Sequence, residues 1–80
     1  LIEKEELAEY EELIRRLYEA ISSLPPMQAR RVHARYMLGM KVKDIAAMEG
    51  ITPSQAGKSI HAALRRLRRY FVRQKWTVNL

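Results

Sequence analysis

The chain contains no cysteine. A disulfide framework and a thiolate zinc site are therefore excluded, and the fold must hold by packing alone. Glycine and proline number only three each, and β-branched residues are few, which favours an all-helical domain. The chain also lacks the interleaved aromatics on which RNA bases stack, and that ranks RNA below duplex DNA as a ligand. No run approaches the roughly 18 apolar residues of a membrane-spanning helix. No secretory signal pattern is visible, so the cytoplasm is the expected location. Leu1 stands where a whole protein would begin with methionine, as expected of a piece of a longer chain. There are no repeats and no low-complexity segments.

What is present is charge, unevenly placed. The 80 residues carry a net +6 and 48% hydrophobic residues, enough for one small domain with a modest core. Residues 1–20 hold seven acids against three bases, a net of −4; residues 21–80 hold twelve bases against two acids, a net of +10. A body this basic points to a polyanion, nucleic acid first and an anionic membrane surface second.

The stretch from Ile51 to Phe71 organises the rest. Thr52 suits an N-cap, Pro53 the first helical position and Gln55 the third, which together complete a capping box. Ala56, Ile60, Ala63, Leu64, Leu67 and Phe71 then repeat as one buried stripe, with Ser54, Lys58, Ala62, Arg65 and Arg69 opposite. Before it, a first helix runs from Leu1 to about Ser22 with the apolar stripe Leu7, Tyr10, Leu13, Ile14, Leu17, Tyr18 and Ile21. Leu24-Pro25-Pro26 is a boundary, and a second helix follows from about Pro26 to Leu38. Its expected inward positions are Met27, Val32, Tyr36 and Met37. Gly39 ends it. A short third helix spans Val42 to about Glu49, weakly started at Lys41, with Ile45, Ala46 and Met48 facing inward. Gly50 closes it. A short helix, a glycine turn and a second helix with a basic outer face make a helix-turn-helix. The expected divisions are an acidic amphipathic helix over 1–22, a helix-turn-helix core over 23–72 and a tail over 73–80. Trp76 in that tail either packs on the bundle or anchors a partner.

The site follows from these positions. Groove entry needs short side chains at a helix start and a few polar ones that reach base edges. Ser54, Gln55, Lys58 and His61 fit, although Gln55 also has the capping role, which turns it back toward Thr52. Arg65, Arg66, Arg68 and Arg69, with Arg30, Arg31, Lys41 and Lys43 from the preceding helices, are expected at phosphates, where they add affinity rather than specificity. His33 and His61 are too isolated for a metal site. The carboxylates of the first helix have no His, Ser or Cys partner poised for catalysis, so neither an enzyme, a cofactor nor a small-molecule substrate is expected. That acidic helix either shields the basic surface or serves simply as a solvated face.

The run from Leu24 to Arg69 resembles region 4 of bacterial RNA polymerase sigma factors of the sigma-70 family, over about residues 21 to 71. Leu24-Pro25, Gln28 with Arg30 and Arg31, Tyr36 before Gly39-Met40, Ile45-Ala46, Gly50-Ile51-Thr52-Pro53 and the closing Leu64-Arg65-Arg66-Leu67-Arg68 carry the likeness. The resemblance implies a small all-α, four-helix domain whose last helix enters the major groove of promoter DNA, with RNA polymerase as a second partner. Docking on polymerase or an anti-sigma partner without DNA affinity is the alternative it leaves open. Ala56-Gly57-Lys58-Ser59 departs from the family's Val-Lys-Ser-Arg, which leaves Lys58 as the one long basic reader. Region 2 is not among these residues, so a sigma factor and a sigma-like regulator both fit. A dimeric two-component-type regulator shares the turn pattern as well.

Overall fold

A computed structural model of the chain describes residues 3–75, and Trp76 lies outside them. Four helices follow one another: α1 (Lys4–Ser22), α2 (Pro26–Val32), α3 (Val42–Glu49) and α4 (Pro53–Arg73). The expected all-α architecture is the one observed. Local chemistry explains most of the boundaries. Pro26 opens α2 at its first turn, where a missing N–H costs nothing. Gly50 ends α3 in the left-handed region at φ +69°, and the Ile51 N–H donates to the Ala46 carbonyl at 3.0 Å, satisfying an end group that the helix leaves open.

α4 is the central element. It packs on α2 and α3 and also meets α1. The expected stripe is the buried one: Ala56, Ile60, Ala63 and Leu67 are all buried, with Leu64 and Phe71 packed at the edge of the core. Ala63 and Leu67 join Ala20, Ile21, Leu24 and Val32 in one cluster, while Ile45 and Ala46 are buried on α3.

α2 does not run on to Leu38 as an α-helix. His33–Met37 is a π-helical turn, in which the Leu38 N–H reaches back to the His33 carbonyl at 3.1 Å. The reason is packing phase. In an α-helix Met37 would lie about 140° around the axis from Val32. A wider turn uses less angle per residue, and it brings Met37 back against the cluster that holds Val32.

Three expected inward residues prove to be exposed: Met27, Tyr36 and Met48, the last by 77%. Met27 sits in the first turn of α2, ahead of the part that meets the core. Tyr36 is carried outward on the π turn, where the Arg35 guanidinium lies 5.7 Å from its ring centre. α3 has only two turns, and Ile45 with Ala46 already occupies its inner side.

α1 is the other departure. Only its C-terminal half is packed, through Leu17, Ala20 and Ile21. Leu7 and Tyr10 remain exposed by 44% and 61%. Arg15, Arg16 and Glu19 border Tyr70, Phe71 and Gln74, whereas Leu17 and Ile21 border Leu64 and Leu67. α1 thus runs antiparallel to α4, and its acidic N-terminal half continues past the end of α4, away from Ser54.

Candidate nucleic-acid interface

The start of α4 is built as its sequence requires. The Gln55 N–H donates to Thr52 Oγ1 at 3.1 Å, and the Thr52 N–H donates to Gln55 Oε1 at 2.9 Å. Both halves of the capping box are made. Gln55, one of the four expected base readers, therefore has its side-chain oxygen held by the cap.

Ser54, Lys58 and His61 are exposed. At about 100° per residue they share a sector of about 80° with Arg65 and Arg69, opposite the buried stripe. From Ser54 to His61 the rise is about 10 Å, close to the roughly 12 Å width of a major groove. Arg65 and Arg69 lie about 16 and 22 Å beyond Ser54 along the axis, outside that span. Distance therefore divides the face into a short polar end, Ser54 to His61, and a basic continuation at Arg65 and Arg69. No acidic residue occurs anywhere in α4.

The arginines do not form one set. Arg65, Arg68 and Arg69 continue the outer face, but Arg66 and Arg69 also line a polar hollow beside Ser23 together with Arg73. Arg73 is absent from the expected site residues, although its spacing from Arg66 and Arg69 follows helical periodicity. Arg30, Lys41 and Lys43 are exposed on the neighbouring helices.

Arg31 is a correction. Expected outside at a phosphate, it is folded in: its side chain is 16% exposed and that of Glu49 18%. Its Nε donates to Glu49 Oε2 at 2.9 Å, its Nη2 to Glu49 Oε1 at 3.0 Å and its Nη1 to Ser59 Oγ at 2.8 Å. One guanidinium thus ties α2 to α3 and α4, one residue beyond Lys58. The Arg31 hydrogen bonds pull the Glu49 carboxyl below its usual range, against the opposing effect of burial.

A second carboxyl is depressed on α1. Arg15 and Arg16 both donate to Glu12, at 2.6 and 2.7 Å, and hold it down to about 2 from an ordinary 4.5. The sign is the same for both acids. Each stabilises the fold at a pH above the carboxylate value of the unfolded chain, and that contribution is lost as pH falls through the lower folded value. The domain is therefore expected to keep its thermal stability down to about pH 4.5 and to lose it progressively toward pH 2, as circular dichroism melts will read. Glu49→Gln is expected to flatten part of that slope.

Gly57 lies inside α4, and a methyl group added there meets nothing within 4 Å. The fold does not require glycine. Gly57→Ala is expected to stabilise the domain by about 1 kcal/mol, read as a rise in Tm. If the same variant loses affinity for DNA, close approach of a base or backbone is the reason for the glycine.

No helix among the described residues is long and apolar enough to cross a membrane. The family model described as Sigma-70, region 4 matches residues 14–67, two thirds of the chain, from the middle of α1 through the buried stripe of α4. No curated protein and no solved structure matches the chain.

Proposed function

Because the chain belongs to the sigma-70 region 4 family, we propose that its helix-turn-helix binds duplex DNA sequence-specifically in transcription initiation or its regulation. The observation that carries this reading is the outer face of α4, exposed at Ser54, Lys58 and His61 and directly opposite its buried stripe. In this reading α4 enters the major groove by its capped end. Lys58 reaches guanine, Ser54 reaches either base type, and His61 stands at the edge of the groove. Gln55 serves first as the cap and can turn its amide nitrogen toward a base. Arg65, Arg68 and Arg69, joined by Arg30, Lys41 and Lys43 from the flanks, take phosphates. Arg31 holds the helices in register and is withdrawn from the phosphate set.

A second reading rests on a separate observation. Tyr36 is exposed and lines an apolar groove with Leu17, Ile21, Val32, Met37, Leu64 and Leu67. That surface suits a docking partner of the RNA polymerase kind, and it lies apart from the outer face of α4.

Fluorescence anisotropy with promoter-like and scrambled duplexes over a range of salt concentrations tests the first reading. Binding at micromolar protein that weakens with salt and prefers one sequence is the expected result. Polymerase-fragment capture with no affinity for duplex would replace it with the second.

A further inference from the structure

We propose that the N-terminal half of α1 is a docking arm for a basic amphipathic helix of a partner protein, seated on Leu7, Tyr10 and Ile14. The spacing comes first. Leu7, Tyr10, Ile14, Leu17 and Ile21 follow one another at intervals of three and four residues, the a/d seam of a two-stranded helical pair. The C-terminal part of this seam is spent inside the domain, where Ile21 is buried and Leu17 packs against the core. The N-terminal part is not, since Leu7 and Tyr10 are exposed. No other element of the described residues extends along that part, because α1 passes the end of α4 near Arg15, Arg16 and Gln74. A lone helical arm of this length is marginal in water without a surface to pack on. Leu7 and Tyr10 also precede residues 14–67, the part that the family accounts for. Ile14, Leu17 and Ile21, the rest of the seam, fall inside that match.

Charge selects the occupant. Residues 3–12 hold six glutamates and one lysine, a net of −5. Glu6 and Glu11 flank the seam at its g and e positions. A second copy laid parallel would set Glu6 against Glu11, and an antiparallel copy would bring two arms of −5 together; both arrangements repel. Arg15 and Arg16 do not relieve this, because their guanidiniums bond Glu12 and Glu19 on the far side of the helix. A helix with its own apolar seam and lysine or arginine at the flanking positions meets both demands.

The test uses the whole chain and two designed three-heptad peptides with Leu and Ile at a and d. One carries Lys at e and g, the other Glu. Amide chemical shifts across residues 5–14 and peptide anisotropy are followed at low and high salt. The Lys peptide is expected to shift those amides and to bind at least about tenfold more tightly than the Glu peptide, weakening as salt rises. The double variant Leu7→Ser/Tyr10→Ser should abolish that binding while its Tm and its duplex affinity stay unchanged. Equal binding of the two peptides, binding of neither, or undiminished binding by the double variant overturns the proposal. So does a dimer in sedimentation that the double variant dissolves, which would give the seam to a second copy.

Discussion

Replacing Arg31 by methionine is expected to destabilise the domain by about 2–3 kcal/mol. For a domain of this size that corresponds to a Tm lower by roughly 10–20 °C. The cause is the carboxylate left behind. Glu49, the last residue of α3, faces α2 with most of its side chain out of water, and both of its oxygens are bonded by the one guanidinium. Methionine fills much of the arginine stem's volume, so lost packing is a small part of the effect. Removing one member of such a pair costs more than the pair itself contributes. The figure stays below that of a fully enclosed pair because a fraction of each side chain remains wet. Arg31→Met combined with Glu49→Leu should therefore recover part of the loss, and the difference between the cycle's corners measures the coupling. A single variant that melts within about 3 °C of the parent would show the three-helix tie to be energetically idle.

The largest functional effect is expected at Lys58. Lys58→Ala should weaken duplex binding by about 1–3 kcal/mol, roughly 5- to 150-fold, and flatten the preference between cognate and scrambled sequences. Arg65→Ala should act differently. It lies about 10 Å further along α4 than Lys58, beyond the groove, so its loss should weaken all sequences alike and reduce the slope of log affinity against log salt by about 1. Parallel titrations of both variants at several salt concentrations separate the two behaviours. If Lys58→Ala lowers affinity without changing sequence preference, Lys58 belongs with the phosphate contacts and the face reads no base through it.

The long, strongly periodic helix was the most legible part of the chain. α4 starts at Pro53 with both bonds of its capping box made, and Gly39 and Gly50 take the left-handed conformation their positions suggested. Those features are local, decided by residues three or four apart. The short helices were less legible for a physical reason. Two turns give periodicity too few repeats to separate Ile45 from Met48, and methionine suits a core and a surface equally well. The π turn leaves no local mark in the sequence because its cause, the need to bring Met37 under the cluster around Val32, lies in tertiary packing. Arg31 reads as a surface cation in the sequence because its partners stand 18 and 28 residues away. Nothing local to Arg30-Arg31 distinguishes the cation that folds inward from the one that stays outside.

The π turn bears on what lengths of chain the domain can accept. It holds one residue more than an α-helix needs to carry the chain from Val32 to Met37. Shorten the segment by one residue, at exposed Tyr36 for instance, and Met37 moves from the fifth to the fourth position after Val32. In a plain α-helix those two positions share a face. The two core residues would keep their phase, and everything from Leu38 onward would keep its place. His33–Met37 is thus the spot inside a helix where a one-residue deletion, ordinarily ruinous, is expected to keep the packing of the domain, read as a Tm close to the parent's.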